Sequence, residues 1–368
     1  IAITVTPVND NAPTITSGAS INVAENTTPV TTVTATDADL PAQSLTYAIT
    51  GGADAALFAI NATTGALSFL TVPDFDVAGD ADADNVYDVV VEVSDGSFTD
   101  TQTIAVTVTP ANDNAPTITS GASVNVAENT TAVTTVAATD ADLPAQTLTY
   151  SIVGGADELL FTIDGTTGVL EFVATPDYES PSDADVDNVY EVQVQVSDGT
   201  LVDTQTIAIT VTPVNDNAPV ITSGATVNVA ENTAVVTTVT ATDADLPAQS
   251  LTYTITGGAD AGLFTIDGST GALSFLTAPD FDVAGDADAD NVYDVVVEVS
   301  DGTLTDSQAI AVTVTPANDN APTITSGASV NVAENTTAVT TVTATDADLP
   351  AQTLTDRKST RLNSSHDA

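Results

Sequence analysis

The chain has 368 residues, of which 51 are Asp or Glu against three Lys plus Arg and one His, for a formal net charge of −48; Cys, Met and Trp are absent. Disulfides and thiolate chemistry are excluded, and so much like charge excludes a nucleic-acid ligand or association with an anionic membrane surface. An apolar share of 42% still allows a packed core, which separates the chain from disordered acidic sequences.

Residues 1–12 contain Asn9, Asp10 and Asn11 and read as the end of a preceding repeat. From residue 13 onward the apolar residues recur at every second position. INVAEN, VTTVTATD, LTYAIT and LFAINATTGALSF come first, the last folding back at its TTG. Tyr87, Val89, Val91 and Val93 follow, then Ile104, Val106 and Val108. A period of two puts one face of each segment in a core and the other in water, so these are strands, and the Gly, Asn, Asp and Pro between them are turns. About seven short β-branched strands predict an all-β, seven-stranded Greek-key sandwich of the immunoglobulin-like kind. No segment has the length and period of an amphipathic helix. The Asp-rich stretch 80–85, repeated at 183–188 and 286–291, lies before a strand and admits two readings, a solvated acidic loop or an extra calcium loop.

The string NDNAP begins at Asn9, Asn112, Asn215 and Asn318, a constant spacing of 103 residues. Three whole units therefore occupy 13–115, 116–218 and 219–321, and 322–355 begins another. A period this long matches an independent domain rather than a solenoid coil, so each unit is expected to fold as a bead in a linear rod. There is no starting Met, no leader and no apolar run near the roughly 20 residues that span a bilayer, which suggests an internal piece of a longer chain. At Asp356 the register breaks: DRKSTRLNSSH back-translates into a common sequencing-library adapter, and residues 356–368 are set aside as an artefact. Arg357, Lys358, Arg361 and His366, every cationic side chain of the sequence, lie in that tail. Residues 1–355 carry 49 carboxylates and no cation to pair with them.

Compensation has to come from solution, and a divalent cation compensates well because carboxylates can gather around it. Calcium is a hard ion that takes oxygens from carboxylates, amide side chains and backbone carbonyls. AEN, DAD, PDFD or PDYE, VSDG and NDN offer such oxygens at strand ends, in the same order in every complete unit. These motifs resemble those of the cadherin repeat, which read XEX, DXD, DRE, AXDXG and DXNDN. The resemblance covers all three complete units and implies calcium held between successive repeats.

Carried over residue by residue, the resemblance assigns Asn9, Asp10, Asn11, Asp37, Asp39 and Asp95 to the N-terminal edge. The first full junction would use Glu25, Asp74 and Asp76, the linker residues Asn112, Asp113 and Asn114, and then Asp140, Asp142 and Asp198. The second would use Glu128, Asp177, Glu179, Asn215, Asp216, Asn217, Asp243, Asp245 and Asp301. The third would use Glu231, Asp280, Asp282, Asn318, Asp319, Asn320, Asp346 and Asp348. Two departures stand out. Pro7, Pro110, Pro213 and Pro316 replace the first Asp of the linker motif, and Phe or Tyr replaces the basic residue of DRE. About two to three ions per junction are expected.

The same resemblance implies an extracellular, calcium-stiffened stalk of a large bacterial surface adhesin. Two alternatives stay open: repeats that bind directly, to a copy of themselves, a cell-surface protein or a carbohydrate, and a spacer within a secreted multidomain enzyme. Catalysis by the repeats themselves is not expected, because no His, Lys or Arg is available to move protons or stabilise an anion. Asn26, Asn61 and Asn129 head N-x-S/T triplets, which a bacterial source would leave idle.

Overall fold

The computed structural model describes residues 1–356; the adapter-like tail thus lies, apart from Asp356, outside the described residues. The chain divides into two compact units, one of residues 1–177 and 181–212, the other of residues 178–180 and 213–368.

In the first unit, the first repeat runs β1 (Thr14–Ile15), β2 (Ser20–Ala24), β3 (Pro29–Thr32), β4 (Ala35–Thr36), β5 (Thr46–Gly51), β6 (Phe58–Ile60), β7 (Ala66–Phe69), β8 (Val86–Ser94) and β9 (Thr99–Thr109). One sheet has the order β2-β9-β8-β5, the other β3-β7-β6, and β1 pairs with β4. The seven strand positions of the Greek key are present as nine segments, because β1 with β2 and β3 with β4 are each one strand broken in two. Every pairing is antiparallel except β2 with β9, which is parallel.

Alternation along β8 and β9 builds the core. Val89, Val91 and Val93 of β8 and Ile104, Val106 and Val108 of β9 are buried, while their neighbours face the other way. Against them pack Val23, Val33, Leu67 and an aromatic trio. Phe58 and Phe69 lie 4.5 Å apart, and Tyr87 meets Phe69 edge-on at 5.2 Å, the geometry aromatic quadrupoles favour. Gly52 has φ +108°, and a Cβ there would stand 2.3 Å from the Asp88 carbonyl oxygen, so only glycine lets β5 turn this close to β8.

The second repeat reproduces the topology, with its four-stranded sheet ordered Ser123–Ala127, Val202–Thr212, Val189–Ser197, Thr149–Gly154. The second unit contains the third repeat, from Val220–Ile221 to Thr305–Thr315, with the same sheets. Beyond it, Thr323–Ile324 pairs with Ala344–Thr345, the counterpart of β1 with β4. No helix among the described residues is long and apolar enough to cross a membrane.

Candidate metal centre

The parallel pairing of β2 and β9 decides where the acidic motifs go. Both strands run toward the same pole of the repeat, so Glu25 at the end of β2 emerges beside the linker that follows β9. Asn26 takes φ +60°, a left-handed turn that Asn tolerates better than most residues, and this directs the chain away from the strand while Glu25 folds inward. Glu25 is 4% exposed and accepts hydrogen bonds from the Phe75 N–H at 2.8 Å and the Ala111 N–H at 2.6 Å.

Around Glu25 several of the carboxylates assigned to the first junction come together. Oxygens of Glu25, Asp74 and Asp76 lie within 4.8 Å of one another, and so do those of Asp76, Asp113 and Asp142. Asp76 belongs to both groups, and Asp142 comes from the next repeat. Asn114 ties them together: its N–H donates to Asp142 Oδ1 at 3.1 Å, and its Nδ2 to Asp142 Oδ1 at 2.7 Å and Asp76 Oδ2 at 3.0 Å. The Leu143 N–H donates to Asp76 Oδ1 at 2.7 Å, a direct tie from the second repeat to the first. Asn26 Nδ2 donates to Asp113. Crowding leaves a mark on acidity. Burial, with the charges of Glu25, Asp142 and Asp74 adding to it, pushes Asp76 above the ordinary Asp value despite the Leu143 bond; burial and Glu25 raise Asp113 likewise.

Asp140 and Asp198 complete this junction from the second repeat. Asp140 Oδ1 accepts the Asp142 N–H at 3.1 Å, and Asp198 Oδ1 accepts those of Thr200 at 2.6 Å and Leu201 at 2.7 Å. Their other oxygens, together with Asn112 Oδ1, are buried with no donor. A buried acceptor without a donor is costly in a folded protein, and gathering several of them is tolerable only around a positive charge. Such a gathering of acceptor oxygens fits a cation. The N-terminal edge has the same make-up: oxygens of Asp37, Asp39 and Asp95 lie within 4.8 Å of one another, and the Asn9 side-chain amide lies 3.2 Å from Asp39 and Asp95 oxygens. The N–H groups of Asp10 and Asn11 each donate to Asp39 Oδ2 at 3.1 Å.

In the second unit the third junction matches the first. Glu231 accepts from the Phe281 N–H at 2.8 Å and from that of Ala317; Asn320 donates to Asp348 Oδ1 and Asp282 Oδ2, each at 2.9 Å; and the Leu349 N–H donates to Asp282 Oδ1 at 2.6 Å. Asp280 Oδ1 is held by the Asp282 N–H at 2.9 Å, Asp346 Oδ1 by that of Asp348 at 3.2 Å, and Asn232 Nδ2 reaches Asp319 at 2.5 Å. Of the second junction's set, Asn217 holds Asp245 at 2.8 Å, Glu179 accepts from the Leu246 N–H at 2.9 Å, and oxygens of Asn215, Asp243 and Asp301 are again buried without donors. Glu128, 2% exposed, ends its strand as Glu25 does.

Sequence reading missed Asp54 and its counterparts Asp157 and Asp260, each about as buried as Glu25. Asp54 accepts the N–H groups of Ala81 and Asp88, each at 2.8 Å, and so pins the Asp-rich loop to the start of β8. Its recurrence in GGAD every 103 residues was the available signal. Within the loop, Asp80 is buried and accepts the N–H groups of Asp84 at 2.8 Å and Asn85 at 3.2 Å, and oxygens of Asp80, Asp82 and Asp84 lie within 4.8 Å of one another.

A cadherin domain model matches residues 19–109, 122–212 and 225–315. The chain belongs to the cadherin family. Human protocadherin Fat 1 is 31% identical over 347 residues, covering 88% of this chain and 7% of that protein. Mouse cadherin EGF LAG seven-pass G-type receptor 2 is 34% identical over 366 residues, covering 92% of this chain and 12% of the relative. The chain thus spans a small part of these curated relatives. Among solved structures, the protocadherin gammaB4 extracellular domain superposes with a TM-score of 0.63 at 25% identity, covering 94% of this chain and 57% of that one.

Cadherin membership gives the chain tandem all-β cadherin repeats that carry calcium-binding-type motifs and no catalytic cluster among the described residues. It also overturns one expectation. The named relatives are human, mouse and rat proteins, so the bacterial source and the bacterial-surface localisation are corrected to an extracellular segment whose named relatives are eukaryotic. The bacterial source had come with the resemblance alone; a cysteine-free, acidic repeat is compatible with either source, and neither feature carries lineage.

Proposed function

We propose that the chain is a load-bearing cadherin segment whose repeats are fixed to one another by calcium held at the assigned junction residues. The observation that carries this reading is the set of buried, donor-less oxygens of Asn112, Asp140 and Asp198 beside the carboxylate groups of the first junction. A bound calcium supplies two positive charges and an oxygen-preferring coordination sphere. Glu25, Asp74 and Asp76 belong to the upstream repeat, Asn112, Asp113 and Asn114 to the linker, and Asp140, Asp142 and Asp198 to the downstream repeat. With all three sets gathered on common ions, neither repeat can turn without breaking the other's contacts. Without that neutralisation Glu25, Asp76, Asp113 and Asp142 repel at close range, and only hydrogen bonds such as those of Asn114, Leu143, Asn26 and Ala111 hold the joint. Extracellular calcium modules have dissociation constants of about 10⁻⁴ to 10⁻³ M, so the joint would be loose at cytosolic calcium and firm outside the cell.

Amide hydrogen exchange of the full chain, with calcium and with a chelator, tests this. Calcium should raise the melting temperature and slow exchange in the linker 110–116 and at Leu143. Equal linker protection in the two conditions would sink the reading. Direct self-association is the second reading: one solved relative, protocadherin gammaB7, is described as a cis-dimer, superposing at a TM-score of 0.62 and 25% identity. Sedimentation in calcium distinguishes a monomeric segment from one that pairs.

A further inference from the structure

In a chain whose named relatives are eukaryotic, N-x-S/T triplets are candidate sugar acceptors. Among the described residues they begin at Asn26, Asn61, Asn129 and Asn335, and the fold separates them. Asn26 spends its Nδ2 on Asp113 inside the first junction, where a sugar would stand among the carboxylates. Asn129 and Asn335 hold the same repeat position. Asn61 does not: it sits at the tip of the hairpin between β6 and β7, at the N-terminal end of the repeat where Ala62 accepts the Tyr47 N–H, its side chain bonds only within its own turn, and residues 61–64 are all exposed.

The turn at Asn61 presents the amide nitrogen outward. Asn61 Oδ1 accepts the N–H groups of Thr63 and Thr64, each at 3.0 Å, while the Gly65 N–H donates to the Asn61 carbonyl at 2.9 Å. With the oxygen so engaged, Nδ2 makes no hydrogen bond to the described residues and points away from the backbone it caps. Every one of these bonds lies within residues 61–65, so the turn can form in a nascent hairpin before the sandwich closes. The sister repeats supply a control. They place Asp164 and Asp267 at this position, where the carboxylate accepts the same two N–H groups, from Thr166 and Thr167 and from Ser269 and Thr270, at 2.7–3.0 Å. The side-chain nitrogen of Asn61 is therefore not required by the turn.

We propose that Asn61 is an N-glycan acceptor, giving the first repeat a sugar that the second and third repeats lack. The substrate class is a lipid-diphosphate-linked oligosaccharide, presented by an oligosaccharide-transferring enzyme of the secretory pathway. Asn61 Nδ2 forms a bond to the anomeric carbon, the bond from that carbon to the phosphate oxygen breaks, and the lipid diphosphate leaves with the electron pair. One Nδ2 proton passes to a base of the transferring enzyme, and no oxidation or reduction occurs.

The test is secretion of the full chain, with a leader peptide added, from cultured mammalian cells, followed by amidase release of N-glycans in ¹⁸O-water and peptide mapping. Asn61 should be recovered as ¹⁸O-labelled Asp in most molecules. Thr63→Ala should abolish the label. Asn61→Asp should remove the glycan while leaving secretion and melting temperature unchanged, because Asp already serves this turn in the two sister repeats. An unlabelled Asn61 in secreted protein, or labelling that survives Thr63→Ala, overturns the assignment.

Discussion

Single carboxylates in this chain do one of two jobs, and their hydrogen bonds show which. Asp267 accepts the Ser269 hydroxyl at 2.7 Å and two N–H groups, and these bonds, the side-chain one foremost, hold its pKa far below the ordinary Asp value. Asp164 is lowered in the same way by the N–H groups of Thr167 and Thr166. A depressed folded-state pKa contributes stability that is complete above the unfolded value, about pH 4, and is lost as pH falls through the folded one. Asp267→Asn should therefore flatten the acid limb of the third repeat's stability curve below about pH 4, as followed by hydrogen exchange against pH. Glu25 does the other job. Glu25→Gln keeps an acceptor for the Phe75 or Ala111 N–H but removes a charge from the junction. Calcium affinity of the first junction should drop about 10- to 100-fold by calorimetric titration, with little change in melting temperature in chelator.

At the scale of the strand, the sandwich depends on a few contacts repeated in each domain. Phe69→Ala opens the space between Phe58 and Tyr87 and should cost the first repeat about 3–5 kcal/mol, read from denaturant-dependent exchange of β7 and β8 amides, while the third repeat keeps its protection. Gly52→Ala forces a Cβ against the Asp88 carbonyl at a positive φ and should destabilise the β5–β8 pairing by about 2 kcal/mol or more, measured in the same way. The strands themselves were readable because alternation in YDVVVEVS and QTIAVTVT allows only one inward face. Their breaks were not: the gaps between β1 and β2 and between β3 and β4 are set by which partner each half finds, a tertiary choice that local pattern does not record. The clustering of carboxylates at the repeat ends was readable for the opposite reason, since five short acidic motifs in fixed order have no local use that would require them all. Asp54 escaped notice because a lone Asp closing Gly-Gly-Ala looks like a turn residue, and its role appears only when Ala81 and Asp88 arrive beside it.

For the whole chain, electrostatics sets the conditions under which the fold is usable. With 49 carboxylates and no cationic side chain in residues 1–355, internal salt bridges cannot offset the repulsion. Sodium chloride at about 1 M shortens the screening length to roughly 3 Å and should recover much of the melting temperature lost in chelator. It should not restore slow exchange at Leu143 or Asn114, because screening weakens repulsion everywhere but gathers no ligands. A salt titration that restored linker protection as fully as calcium would reduce the junction to nonspecific charge relief.

The parallel pairing of β2 with β9 also governs how a repeat answers a pull. Tension on the chain enters β2 at its N-terminal end and leaves β9 at its C-terminal end, so the two strands are drawn in opposite directions along their length. The five residue pairs from Ser20 with Ala105 to Ala24 with Thr109 are then sheared together instead of being peeled open one at a time. Glu25 and the linker leave from the same end of that pairing, so the junction lies in series with the strand pair that resists the force.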